Sequence, residues 1–244
     1  MDPLTINAAG GSRSRLESLD LLANNLANGT TAGYKADREA FSLYQSEDAQ
    51  TAEFQIPADS LPLVEKRWTD LRQGTIQSTG NPLDLALSGP GFFVVDGPSG
   101  RLHTRDGALH LTRDGKLVTR DGYEMTTREP RRIRADSSLP VQIDTDGTVR
   151  QSGVVLGHLE IAAPPGPDRI EKSESGYFSW AGAAASPAPT EIHQGALEAS
   201  NANPAEGAVR LVNLLRQFES LQRAIQIGAE MNRRAVEDVA RTGS

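Results

Sequence analysis

The chain has 244 residues, a formal net charge of −7 and no cysteine. That length allows one or two domains with a sizeable core. The lack of cysteine excludes disulfides, thiolate zinc sites and cysteine nucleophiles, and the acidic balance excludes a general nucleic-acid or anionic-membrane binder, which needs clustered Lys and Arg.

Hydrophobic residues make up 37% and aromatics 5%, so part of the chain is expected to lack a core of its own. No apolar run approaches the roughly 20 residues of a membrane span. Met1-Asp2-Pro3-Leu4 has neither the charged nor the apolar region of a secretory leader, so none is expected.

From Leu4 to Asn28 the spacing predicts a helix. Ser12, Leu16, Leu19, Ala23 and Leu26 alternate steps of 4 and 3, which lines one helix face. Asn28-Gly29 ends it. The stripe is thin, and a lone helix of this kind is marginal in water; it requires a partner. The amide cluster Asn24-Asn25-Leu26-Ala27-Asn28, echoed by Asn201-Ala202-Asn203, has two readings: capping and fraying, or side-chain amides bonded to neighbouring helices or backbone. Thr30 to Trp68 carries mixed polar residues and two isolated prolines and reads as extended.

About Thr69 to Ser200 shows no helical period. Short apolar runs such as Phe92-Phe93-Val94-Val95, Val141-Gln142-Ile143 and Val154-Val155-Leu156 are divided by five Asp-Gly pairs, which start at Asp96, Asp106, Asp114, Asp121 and Asp146. Asp-Gly between apolar runs signals hairpins, so a compact antiparallel β domain is expected. Ala181 to Pro189 reads as a loop.

From Pro204 to about Arg241 the helical pattern returns. Leu211, Leu215, Phe218, Ile225 and Asn232 belong to a second 3–4 stripe. Pro204 suits a first helical turn, with Asn203 before it and Glu206 near the positive end of the helix. Val212, Leu214, Leu221 and Ile227 widen the apolar surface beyond a two-stranded seam. The fold class expected is α+β, with long N- and C-terminal helices paired as a coiled-coil-like bundle and a central antiparallel β domain.

Signals for chemistry are weak. The four histidines, His103, His110, His158 and His193, are dispersed and show no zinc-site spacing. Asp144-x-Asp146-Gly147 lacks the rest of a calcium loop. Gly89-Pro90-Gly91 lacks the third glycine of a dinucleotide fingerprint. A pair of carboxylates acting on glycosides leaves no local signature, and Asp84 and Glu160 would be arbitrary choices. Thr79 to Phe93 gathers turn residues around Leu83, Leu85 and Leu87 and reads as a structural corner.

Four of these segments carry a family resemblance. Leu22-Ala-Asn-Asn-Leu-Ala-Asn-Gly-Thr-Thr-Ala-Gly-Tyr-Lys35 resembles the N-terminal signature of the flagellar rod and hook proteins. Thr79 to Val94 is similar to their central motif, here carried by Gly80, Pro82, Leu83, Asp84, Gly89, Gly91, Phe92 and Phe93. His103-Thr-Arg-Asp-Gly107 with Asp114-Gly-Lys-Leu-Val118 resembles the hairpins that follow, and Gly195 to Pro204 resembles the lead-in to the C-terminal helix. The resemblance spans nearly the whole chain in the family's order.

The resemblance implies a structural subunit of the bacterial flagellar basal-body rod. Length and the Asn-Ala-Asn-Pro204…Phe218-Glu219 pattern suggest the rod protein next to the distal rod. It implies four segments: 1–30, N-terminal helix; 31–70, extended linker; 71–196, β domain; 197–244, C-terminal helix. The assembly interface is expected on Leu16, Leu19, Ala23, Asn24, Asn25, Leu26 and Asn28 and on Leu211, Leu215, Phe218, Ile225 and Asn232. The expected partners are further copies, other rod proteins both proximal and distal, and the flagellar export apparatus, which passes the chain without a cleaved leader to a rod crossing the periplasm. No catalytic residue, metal, cofactor, nucleic acid or membrane insertion is implied. Three alternatives stay open: a distal rod or hook-type subunit, a β binding module with helical oligomerisation ends, and a cell-wall-cleaving enzyme.

Overall fold

The computed structural model describes residues 3–45, 60–164, 166, 169–173, 176–180 and 190–242. They fall into two units. One contains helix α1 (Pro3–Ala27), strands β1 (Asp37–Gln45) and β2 (Ser60–Thr69), which pair with each other, and helix α2 (Pro204–Thr242). The other lies within residues 28–36 and 69–203. The Ala/Pro/Ser-rich stretch 181–189 lies outside the described residues.

In the first unit α1 and α2 touch. Pro204 starts α2 where its missing N–H costs nothing, and Glu206 sits in the acidic-favouring first turn. The buried line of α1 is Ser14, Ser18 and Leu22, and the Ser18 hydroxyl donates to the Ser14 carbonyl at 3.1 Å. Asn25 leaves the helix sideways. Its Nδ2 donates to the Asp37 carbonyl at 2.8 Å, and its Oδ1 accepts the Asp37 N–H at 2.9 Å. One amide thus satisfies both backbone groups of the first residue of β1.

The expected α+β bundle is not what forms. Among the described residues there are two helices against seventeen strands, so most of the elements are β. The two helices touch, but the described residues do not show a long coiled-coil-like pairing. Among the described side chains of α1, two of the three buried ones are serines, whereas a coiled-coil seam needs large apolar knobs. Leu16 is 49% exposed and Leu215 44% exposed. Some large apolar groups thus face outward, while Leu22 is buried and Leu26 lies nearest Gly207 of α2.

The second unit is built from short strands: β3 (Ile76–Ser78), β4 (Leu85–Ser88), β5 (Phe92–Gly97), β6 (Gly100–Thr104), β7 (His110–Leu111), β8 (Leu117–Val118) and β9 (Glu124–Met125). There follow β10 (Val141–Ile143), β11 (Thr148–Gln151), β12 (Val154–His158), β13 (Ile161–Ala162), β14 (Glu171–Lys172), β15 (Phe178–Ser179), β16 (Glu191–Gln194) and β17 (Ala196–Glu198). The largest sheet runs β14-β15-β6-β5-β9-β8-β7, and β13 pairs with the start of β5. A three-stranded sheet, β10-β11-β12, and two pairs, β16-β4 and β17-β3, complete it. All the pairings given for this unit are antiparallel.

Sequence chemistry explains this layout. Four of the Asp-Gly pairs sit at the turns β5–β6, β7–β8, β8–β9 and β10–β11. The fifth, Asp106-Gly107, instead passes alongside β4, where the Leu85 N–H donates to the Gly107 carbonyl at 2.9 Å. Phe92 to Val95 are all buried because β5 is central, flanked by β6 on one side and by β13 and β9 on the other. Val141 and Ile143 alternate with an exposed Gln142 because their sheet buries one face. Phe93 and Val95 join Leu85, Leu87, Leu159 and Ile192 in the main core.

Phe93 is fully buried at the centre of that core. Phe93→Ala is therefore expected to lower the unfolding free energy of the full chain by about 3–5 kcal/mol, measured by urea denaturation.

Candidate functional site

Three buried charges lie away from any surface. Lys35 follows the turn after α1, Arg105 follows β6, and Glu198 ends β17. The Lys35 ammonium is 2.6 Å from Glu198 Oε1, and the Arg105 guanidinium is 2.9 Å from Glu198 Oε2. All three side chains are at most 1% exposed.

Backbone groups supply further partners, and Arg105 Nε is left without one. Lys35 Nζ donates to the Arg72 carbonyl at 2.8 Å, the Gly74 N–H donates to Glu198 Oε1 at 2.7 Å, and Arg105 donates to the Gly89 carbonyl. The Arg105 guanidinium also sits 4.9 Å from the centre of the Phe92 ring, whose face attracts a cation. Burial pushes the Lys35 ammonium and the Arg105 guanidinium below their usual pKa ranges, and the Glu198 carboxylate acts the other way on both.

The backbone closes tightly around this group. Gly33 has φ +66° and donates to the Glu198 carbonyl at 2.7 Å; a Cβ there would lie 2.2 Å from the Arg105 carbonyl carbon. A Cβ on Gly74 would lie 1.9 Å from the Ala199 oxygen. Only glycine fits either place. Asn201 completes the set. Its Oδ1 accepts the Ala36 N–H at 2.7 Å, and its Nδ2 donates to the carbonyls of Asp70 at 2.7 Å and Arg72 at 2.9 Å.

The central motif makes a second polar hub. Asp84 is buried and accepts from the Thr79 hydroxyl at 2.7 Å and from Asn81 Nδ2 at 2.9 Å. Its carbonyl accepts the Gly195 N–H at 2.8 Å. Gly80 turns with positive φ, Pro82 is exposed and Leu83 packs at the core margin. Gly89 also has positive φ, Gly91 lies against Ile161 and Thr190, and Phe92 and Phe93 are buried on β5.

The expected interface residues are distributed less evenly. On α1, Leu16, Ala23 and Asn24 are exposed, while Leu19, Asn25 and Leu26 are half-buried. Asn28 is half-buried in the turn after α1 and accepts from the Thr31 hydroxyl at 3.3 Å. On α2, Leu211, Phe218 and Ile225 are half-buried and Leu215 is exposed. Asn232 lies in α2, and its side chain falls outside the described residues.

Lys35, Arg105 and Glu198 are the residues that sequence reasoning passes over, whereas Asn201 belongs to the second amide cluster and its side chain bonds to backbone. The available signal is position: each lies inside one of the segments bearing the family resemblance, and the charges there have opposite signs. The four histidines do not converge, and among the described residues no group of three or more His, Asp or Glu side chains is placed to hold a metal.

His103, two residues before Arg105, is buried against Trp180, with ring centroids 3.4 Å apart, and its Nδ1 lies 3.2 Å from the Phe178 carbonyl. Burial, with Arg101 adding to it, lowers its pKa to about 4 from 6.5, against a pull upward from the Phe178 carbonyl. The folded state therefore holds a neutral imidazole. The contribution of His103 to stability is almost constant above pH 7 and falls as the unfolded chain gains a proton around and below pH 6.5. At pH 5 the loss is expected to be about 2 kcal/mol relative to pH 7.5. His103→Tyr should remove that part of the slope, measured by urea denaturation at both pH values.

Residues 86–151 match the family described as the flagellar hook protein FlgE/F/G D1 domain, and residues 193–237 match the flagellar basal body rod FlgEFG protein C-terminal family. The flagellar basal-body rod protein FlgF of Caulobacter vibrioides is 32% identical over 224 residues, covering 90% of each chain. FlgF of Mesorhizobium japonicum is 28% identical over 83% of each chain. The flagellar basal-body rod protein FlgG of Buchnera aphidicola subsp. Schizaphis graminum is 27% identical over 88% of this chain and 91% of its own. Both hubs described above draw on the matched segments: Arg105 falls in the first, Glu198 and Asn201 in the second, and Asp84 binds Gly195 of the second. The chain belongs to the flagellar rod and hook family and is a structural subunit of the flagellar basal-body rod.

Proposed function

We propose that this subunit joins its neighbours through the apolar faces its terminal helices leave exposed, stacks helically with further copies and with other rod proteins, proximal and distal, and carries torque along the rod. The supporting observation is the surface of α2. Val209 is 63% exposed, Val212 48%, Ile227 61% and Met231 65%. At 100° per residue these four fall on one side of the helix, with Leu215 at its margin. Exposed apolar surface of this extent marks an interaction site. Leu16 on α1 supplies a different patch, and unlike patches meeting head to tail generate an open helical array.

In this reading residues 1–30 and 197–244 carry assembly, 31–70 links them to the rest, and 71–196 forms the β body. Leu19, Ala23, Asn24, Asn25, Leu26 and Asn28, with Leu211, Phe218, Ile225 and Asn232, border the contacts. The place next to the distal rod follows from length and the helix lead-in. Export runs through the flagellar apparatus, and the rod so built crosses the periplasm. The subunit works without catalysis, nucleic acid or membrane insertion. No described helix is long and apolar enough to cross a membrane.

Leu215 and Ile227 are exposed in the single chain, so Leu215→Asp and Ile227→Asp should leave its stability within about 0.5 kcal/mol of the parent. Both are expected to abolish incorporation into purified basal bodies and swimming in a strain lacking the parental gene. Normal swimming with both substitutions would exclude this face from assembly.

A further inference from the structure

We propose that the Lys35–Glu198–Arg105 cluster is a register lock: its charges select one alignment of the two segments leading to α1 and α2, and contribute little to the stability of the fold. The proposal stands on geometry within the second unit and does not depend on the rod assignment.

The energetics argue against a stabilising role. Removing ions from water costs several kcal/mol each, which their attraction repays only with complete hydrogen bonding. Here two cations share one carboxylate, and Arg105 Nε is buried without a partner. Apolar side chains of similar volume would serve packing as well or better.

The two segments need a device that sets alignment. Strand β17 is three residues long and pairs with β3, where Ala196 faces Ser78, Leu197 faces Gln77 and Glu198 faces Ile76. So short and mixed a pair specifies its register weakly through apolar burial alone. Residues 33–36 form no strand and bring only Tyr34 and Ala36 as buried apolar groups.

The charges discriminate where the apolar residues do not. A slip of β17 by one residue would place Leu197 or Ala199 where Glu198 meets Lys35 and Arg105. Two cations would then be buried without an anion, and the Gly74 N–H would lose its acceptor. A slip of residues 33–36 would remove Lys35 from the Arg72 carbonyl and drive a side chain into the space only Gly33 can occupy. One carboxylate thus checks both alignments, across 163 residues of sequence.

The test uses the purified full chain. Glu198→Gln strands two cations and is expected to lower the melting temperature by about 10 °C. The triple variant K35M/R105L/E198L is expected to melt within a few degrees of the parent. Its Gly33 amide, which bonds to the Glu198 carbonyl, and its Ala199 amide, which bonds to Thr75, should exchange with deuterium at least about tenfold faster, because the segments then sample more than one alignment. Two results would overturn the lock. If the triple variant melts as low as E198Q or does not fold, the charges are stabilising. If it melts like the parent with parental exchange at Gly33 and Ala199, the alignment does not need them.

Discussion

A single carboxylate, Glu198, sits between an ammonium and a guanidinium where water does not reach. Much of the second unit can be traced outward from it. Through Lys35 it fixes the chain just after α1; through Gly74 and Asn201's carbonyl partners it fixes the chain just after β2; through Arg105 it reaches β6, Gly89 and the Phe92 ring. Charge so deeply buried is tolerable only when almost every donor and acceptor nearby is matched. The glycines at 33 and 74 are a consequence: they let the backbone approach closely enough to supply those matches.

The large sheet gives this group a floor. Central strand β5 is buried on both faces, with Phe93 and Val95 in the apolar core and Phe92 beneath the Arg105 guanidinium. Phe92 also meets Phe178 and Trp180 edge to face, at 5.4 and 5.7 Å between centroids. One short run of four apolar residues therefore serves two environments. The Asp84 hub ties the start of β4 to Gly195, one residue before β17 begins. Both polar hubs thus act on the same few residues leading to α2.

Much of this was legible in the residues. Alternating steps of 3 and 4 located both helices, and Asp-Gly pairs located four turns, because each reports a local backbone preference. Two things were not legible. The buried line of α1 contains Ser14 and Ser18, which a count of large apolar residues passes over; the 3–4 stepping marked a helix but not the side it buries, and the expected coiled-coil-like pairing failed with it. Lys35, Arg105 and Glu198 read by default as solvated, since isolated charges are seldom fully buried. Their pairing is tertiary and spans most of the chain, so no window of sequence displays it. The ribbon of β1 and β2 was hidden for a similar reason: its pairing partner lies beyond a stretch of mixed polar residues.

The distance along the chain between Lys35 and Glu198 also sets an order of events. A polypeptide emerging from the ribosome N-terminus first offers Gly33, Lys35 and Ala36 early, yet Glu198 follows Lys35 by 163 residues and Asn201 follows Ala36 by 165. Contacts of such high sequence separation close slowly, after local hairpins have formed. The nascent chain can build the β5–β6 and β10–β11 hairpins while its beginning stays unanchored. Completion of the second unit therefore waits until its last residues, through Asn203, have been synthesised.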